Sequence, residues 1–137
     1  MTPEAVAWLR EAIGRRKALA EAAGGAPWEA EGDDPTDDEV YSASTEPDTF
    51  GEMVALTRGP YSHENTLHIA ANDPRQVIAD CETDLGILHL YILWTGHDPG
   101  AHPALGAAAC VASDALRHVA SAYRHQPGYA EHWGSGE

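Results

Sequence analysis

The fold is decided by a stretch that starts at Asn72 and reads Asn72-Asp73-Pro74-Arg75-Gln76-Val77-Ile78-Ala79-Asp80-Cys81. Asp73 can cap a helix, Pro74 suits the first helical position, and Gln76 completes a capping-box pattern. Apolar residues then recur at steps of four, four, three and four, at Val77, Cys81, Leu85, Leu88 and Ile92. Such spacing places them on one helical face. The stretch therefore predicts a helix over residues 74–94.

A second long helix is predicted over residues 103–124. Its apolar residues step by 4, 3, 4, 3 and 4, at Leu105, Ala109, Ala112, Leu116, Val119 and Tyr123. This heptad-like spacing is typical of a helix that packs along a partner helix. Two long helices joined by a short connection predict an antiparallel hairpin, assigned to residues 63–126. We expect Cys81 and Cys110 to pack within this hairpin.

The N-terminal segment, residues 1–25, predicts a third helix. Thr2 can cap it and Pro3 suits its first position. One apolar face is predicted, formed by Val6, Leu9, Ile13 and Ala20 and widened by Trp8, Ala12 and Leu19. In the C-terminal tail, residues 127–137, we expect Tyr129 and Trp133 to fold back onto the core.

Residues 26–62 have a different character, with ten acidic residues between Glu29 and Glu52. Short β-like pieces at residues 28–31, 40–44 and 53–57 alternate with turn signals, which predicts a small antiparallel β-meander. Such a sheet is too small to stand alone and must pack on helices. We therefore predict one α+β, mainly helical domain over residues 1–137.

The charge of the chain excludes several classes of function. It has 22 acidic against 8 basic residues, a formal net charge of −14. Nucleic-acid binding needs Lys and Arg to neutralise phosphates, and anionic membranes repel such a chain for the same reason.

Two cysteines make no disulfide framework, so we expect a reducing, cytoplasmic setting. No P-loop, nucleophile elbow or zinc-protease motif is present, so we expect no enzyme.

Three blocks of sequence stand out together: residues 26–32, residues 68–82, and a C-terminal set made of Leu116-Arg117, Ala122-Tyr123, residues 125–129 and His132-Trp133. Taken in order, these blocks resemble a small domain family of unknown function in actinomycetes and their phages. The resemblance implies an intracellular accessory protein of a bacterium or phage. It implies no reaction.

The resemblance also implies a small zinc site in many relatives, from which this sequence departs. Tyr91 stands where a helix-end His belongs, and His97 and His102 occupy the loop of a cysteine pair. The candidate metal ligands are therefore His89, His97, His102 and Cys110. Their spacing of 8, 5 and 8 residues matches no recognised zinc pattern, and surface histidines with a packed cysteine are the alternative.

The acidic segment offers a candidate partner-binding site at Asp33, Asp34, Asp37, Asp38 and Glu39. The preferred hypothesis is a non-enzymatic accessory protein that binds a protein partner, basic in character, without a cofactor. The alternatives are a zinc-binding structural domain, an anionic decoy of nucleic acid, and a mobile acidic loop that serves solubility. Trp94 and the alanines of the second long helix also allow a homodimer.

Overall fold

The computed structural model describes residues 1–23, 27–34, 37–44, 51–98 and 102–134, with the backbone alone at residues 32–34, 37 and 38. Within these residues it has five helices and three strands. In chain order they are α1 (Pro3–Ala23), β1 (Trp28–Asp34), β2 (Asp37–Ser42), β3 (Met53–Arg58), α2 (Ser62–Ala71), α3 (Pro74–Thr95), α4 (Pro103–Ala122) and α5 (Tyr129–Trp133). The α+β, mainly helical class predicted above is confirmed.

The chain forms two compact units. The helical unit consists of Met1–Arg16 and Asp80–Glu137, and the sheet unit consists of Lys17–Ala79. The sheet unit carries thirteen acidic against three basic residues, whereas the helical unit carries nine against five. Most of the negative charge therefore belongs to the sheet unit. The assignment of residues 1–137 to one domain stays a prediction.

The sheet unit is a three-stranded antiparallel meander covered by α2. The strand order is β1-β2-β3, and α2 contacts all three strands. Val40, in the central strand, is fully buried. The Thr57 hydroxyl donates to the Ser62 carbonyl at 2.8 Å and also pairs with the Thr66 hydroxyl. These bonds join β3 to α2, so one face of the sheet is turned toward that helix.

The start of α3 is fixed by Asp73, as its sequence predicts. Its carboxylate accepts a hydrogen bond from the backbone N–H of Gln76 at 2.9 Å, and Arg75 lies 3.5 Å away. Burial alone would raise the pKa of Asp73, but the backbone N–H groups of Gln76 and Trp28, together with Arg75, outweigh it and lower that pKa. Asp73 thus caps α3 and also ties the beginning of β1 to it.

We expect Asp73→Ala to lower the free energy of unfolding by about 1–2 kcal/mol at pH 7, since a helix cap is lost. A lowered folded-state pKa stabilises the protein above the ordinary carboxyl pKa, and this stabilisation is lost as pH falls through the folded value. Urea unfolding at pH 7 and pH 3 should therefore show a smaller difference for the variant than for the wild type. Asp73→Asn, which keeps a capping oxygen, should lose less at pH 7. Equal losses for the two variants would contradict the capping role.

The core of the helical unit lies along α1, α3 and α4. Leu9, Ile13, Cys81 and Leu116 are fully inaccessible to solvent. Trp94 and Ala108 line one groove, whereas Asp84 bonds Tyr123 further along, so α3 and α4 run antiparallel. The predicted helical hairpin is confirmed, and the Thr2 hydroxyl caps α1 by accepting from the Ala5 N–H at 3.1 Å.

The C-terminal tail lies against α1, as expected. The Trp8 indole N–H donates to the Pro127 carbonyl at 3.1 Å, and the rings of Trp8 and Tyr129 lie 6.0 Å apart, edge to face. Gly128 has φ 86°, and a Cβ there would come within 2.7 Å of the Trp8 indole nitrogen. Glycine is therefore required at this turn by both backbone and space.

Three side chains predicted to pack are instead exposed. Leu19 is 74% accessible and Ile92 39%, and Cys110 is exposed as well. Cys110 follows Ala109 by one position, which turns its side chain about 100° away from the packed face of α4. The packing predicted for Cys110 is therefore wrong, whereas the packing of Cys81 is confirmed.

Candidate functional site

The face of the sheet that points away from α2 is its outer sheet face. Side chains alternate along a strand, so the neighbours of buried Val40 point to the opposite side. Glu29, Glu31, Met53 and Leu56 on the flanking strands are exposed. We define the outer sheet face by six residues that share this side, and Arg58 lies at its edge. The six are Glu29, Glu31, Glu39, Tyr41, Met53 and Leu56.

The strand register places like charges directly opposite one another on the outer sheet face. Glu31 of β1 pairs with Glu39 of β2, and Glu39 in turn pairs with Leu56 of β3. Like charges in directly opposed positions destabilise a sheet. Arg58, the partner of Asp37 at the end of β3, brings a basic residue to the same side. The outer sheet face therefore concentrates negative charge beside exposed apolar surface.

Tyr41 shares this face and responds to its charge. Its hydroxyl donates a hydrogen bond to the Glu39 carboxylate. That bond, followed by slight burial and by the charges of Glu39 and Glu31, raises the pKa of the Tyr41 phenol. Tyr41 thus acts as a hydrogen-bond donor that orients Glu39, and it stays protonated throughout the physiological pH range.

The predicted acidic site falls on two paired strands. Asp33 and Asp34 belong to β1, and Asp37, Asp38 and Glu39 belong to β2. The side chains of the four aspartates lie outside the described part of the structure, so only Glu39 is placed, on the outer sheet face. The alternative of a loop over these five residues is wrong, because their backbone is in β-strands.

The structure does not gather the predicted metal ligands. His89, His97, His102 and Cys110 are all exposed. His102 accepts a hydrogen bond from the Ala104 N–H at 3.2 Å through its ring nitrogen Nδ1, and so caps α4. His97 lies beside Trp94, with ring centroids 6.3 Å apart. Within the described ranges, no group of three or more His, Cys, Asp or Glu side chains is placed to hold a metal ion.

A separate apolar surface lies between α3 and α4 in the helical unit. It is a groove of about 410 Å³, which we call the α3–α4 groove. Its floor and walls are Ile87, Leu90, Trp94, Ala107, Ala108, Val111, Ala112 and Ala115. None of these residues is charged, and Val111 is 70% exposed.

The core of the helical unit holds a polar cluster centred on Tyr123. The Tyr123 hydroxyl donates to the Asp84 carboxylate at 2.8 Å and also interacts with Arg16 and Cys81. Arg16 lies 3.6 Å from the Asp80 carboxylate. Burial is the main cause of the raised pKa values of Tyr123 and of Cys81. A buried thiol that resists ionisation is a poor nucleophile.

Sequence reasoning missed the outer sheet face as a surface, because the opposition of Glu31 and Glu39 depends on strand register. The alternation of Glu29, Ala30 and Glu31 was the signal that could have revealed it.

These features define a small α+β protein, mainly helical, with an acidic antiparallel sheet. The sequence profile of the DUF6221 family, a family of unknown function, matches residues 2–135, and the chain belongs to that family. No curated protein and no solved structure matches the chain. Among the described residues, no helix combines the length and the apolar character that crossing a membrane requires.

Proposed function

We propose that this chain is a non-enzymatic, acidic accessory protein that binds a basic protein partner through its outer sheet face. The resemblance of its sequence blocks extends the proposal to the cytoplasm of an actinomycete, where either the bacterium or its phage supplies the protein. The observation that carries the proposal is the direct opposition of Glu31 and Glu39 across two paired strands.

The composition of the outer sheet face supports a basic protein rather than a simple cation. Met53 and Leu56 are 52% and 42% exposed, beside the carboxylates of Glu29, Glu31 and Glu39. Protein interfaces combine an apolar centre with polar groups at the rim, and complementary charge accelerates and orients binding. A partner surface with lysine or arginine around apolar side chains would cover this leucine and methionine while it neutralises the carboxylates.

Binding of a basic partner would relieve a repulsion that is present in the free protein. Opposed carboxylates destabilise the isolated sheet, and a cation placed between them removes that penalty on binding. Binding through these charges should also weaken as salt rises, because exposed ion pairs are screened.

The test compares two variants of equal charge. Glu29→Gln/Glu31→Gln/Glu39→Gln neutralises the outer sheet face, and Glu11→Gln/Glu64→Gln/Glu131→Gln neutralises three exposed carboxylates elsewhere. Partners captured from an actinomycete lysate are purified, and their affinities for each variant are measured by titration calorimetry. We expect the face variant to lose about tenfold or more in affinity for a basic partner. The matched control should bind as the wild type does.

Two outcomes decide against the proposal. One is a partner that the face variant and the control retain equally. The other is a partner whose affinity does not change between low and high salt. Thermal unfolding of the face variant provides the check on folding, since loss of the Glu31 and Glu39 repulsion should leave it as stable as the wild type or more so.

A further inference from the structure

We propose that the α3–α4 groove is the contact surface for a second copy of this chain, which joins the two hairpins into a four-helix bundle. The contact would be isologous, with the same groove presented by both copies, as is usual for two-fold symmetric dimers. This inference concerns the helical unit and does not depend on the function proposed for the outer sheet face.

The groove combines exposed large side chains with small ones. Val111 and Leu90 project from it, at 70% and 48% exposure. Beside them the surface is lowered by the small side chains of Ala107, Ala108, Ala112 and Ala115. Helices pack by inserting large side chains into gaps between residues of the facing helix. The groove therefore presents both the projections and the gaps that a second copy needs.

The distribution of charge also favours a second copy at this place. Two molecules with a net charge of −14 repel each other over most of their surface. All eight residues that line the groove are uncharged, and Arg117 pairs with Asp114 nearby on α4 at 3.0 Å. Two copies can therefore meet here without placing carboxylate against carboxylate.

The size of the face meets the lower limit for a stable dimer. In the helical unit α3 contributes residues 80–95 and α4 its 20 residues. At about 1.5 Å per residue these lengths are about 24 and 30 Å, and with a width of about 10 Å each the two helices present a face of about 540 Å². Two copies would bury about 1,100 Å² in total, just above the ~1,000 Å² expected of a specific protein interface. A second copy has two helices of the same lengths, so its hairpin can cover the whole face formed by α3 and α4.

The test is sedimentation velocity of the full chain over a range of micromolar concentrations. The wild type should form a dimer that strengthens as salt rises, because salt screens the repulsion between the acidic copies. Val111→Glu should weaken the dimer by about thirtyfold or more, as expected for a charge placed at the centre of an apolar interface. Leu90→Glu should weaken the dimer by a similar factor. With two groove variants, the test still works if one of them fails to fold.

Leu19→Glu is the matched control, because Leu19 is 74% exposed on α1 and the change adds the same charge. It should leave the dimer intact, and circular dichroism should show an unchanged helix content in all three variants. A wild type that stays monomeric at every concentration overturns the proposal and leaves the groove to another occupant. A dimer that survives both groove variants, or that Leu19→Glu weakens equally, also overturns it.

Discussion

Leu116→Ala should lower the free energy of unfolding by about 2–5 kcal/mol, the range for leucines removed from close-packed cores. Leu116 is fully buried in the helical unit. Truncation to alanine removes three carbon atoms from this packing and leaves a cavity that the two long helices cannot fill without moving. Guanidinium unfolding followed by circular dichroism at pH 7 measures the loss.

The control for this prediction is Leu19→Ala, the same substitution at a side chain that is 74% exposed. It should cost less than about 0.5 kcal/mol, because little apolar surface returns to water. If the two variants lost equal stability, Leu116 could not belong to the core that the structure assigns to it.

Tyr123→Phe should lower the free energy of unfolding by about 1–3 kcal/mol at pH 7, because it removes the hydroxyl partner of the half-buried Asp84 carboxylate. The lost hydroxyl donates to Asp84 at 2.8 Å and also interacts with Arg16 and Cys81. The ring remains, so the packing volume hardly changes and the effect isolates the hydrogen bonds.

The pH dependence gives this prediction a second readout. Burial, followed by the bond to Asp84, raises the pKa of Tyr123. A raised folded-state pKa means that stability is retained below the unfolded value, about 10 for tyrosine, and is lost as pH rises above it. Wild-type stability should therefore fall as the solution becomes strongly alkaline, and Tyr123→Phe should fall less steeply. Tyr129→Phe, a change at a half-buried ring, should match the wild type in stability at pH 7.

The elements with regular apolar spacing could be predicted from the sequence. Helix α3 begins after Asp73 because an aspartate cap and a proline coincide there, and the structure places the cap where expected. Along α4 the apolar steps of three and four end in Leu116 and Tyr123, and both are buried. Local signals and burial agree in these helices, which is why sequence reasoning succeeds there.

Helix α2 escaped prediction for a physical reason. Its buried residues are Ser62 and Thr66, held by hydrogen bonds with Thr57 of the neighbouring strand. Apolar periodicity does not detect a helix that buries hydroxyl groups, since its fit depends on a partner from elsewhere in the chain. The prediction that Cys110 packs was wrong for a simpler reason. A shift of one residue along a helix moves a side chain from the packed face to an exposed one.

The candidate surfaces needed the structure for the same kind of reason. The sequence shows an excess of acids in residues 26–62, but only strand pairing reveals that Glu31 stands opposite Glu39. The alanines of α4 and Trp94 indicated contact with another helix, whereas the 70% exposure of Val111 comes from the packed hairpin alone. Composition thus predicted that one surface is acidic and the other apolar. Which residues form each surface became clear only from the three-dimensional contacts.

The helical unit is assembled from both ends of the chain, Met1–Arg16 and Asp80–Glu137. During synthesis α1 leaves the ribosome long before Tyr129, whose ring contacts Trp8 of α1. The nascent chain must therefore keep the apolar side of α1 uncovered while the intervening residues emerge. The unit is complete only after these later residues have emerged, and chaperones that recognise exposed apolar helices have that interval in which to act.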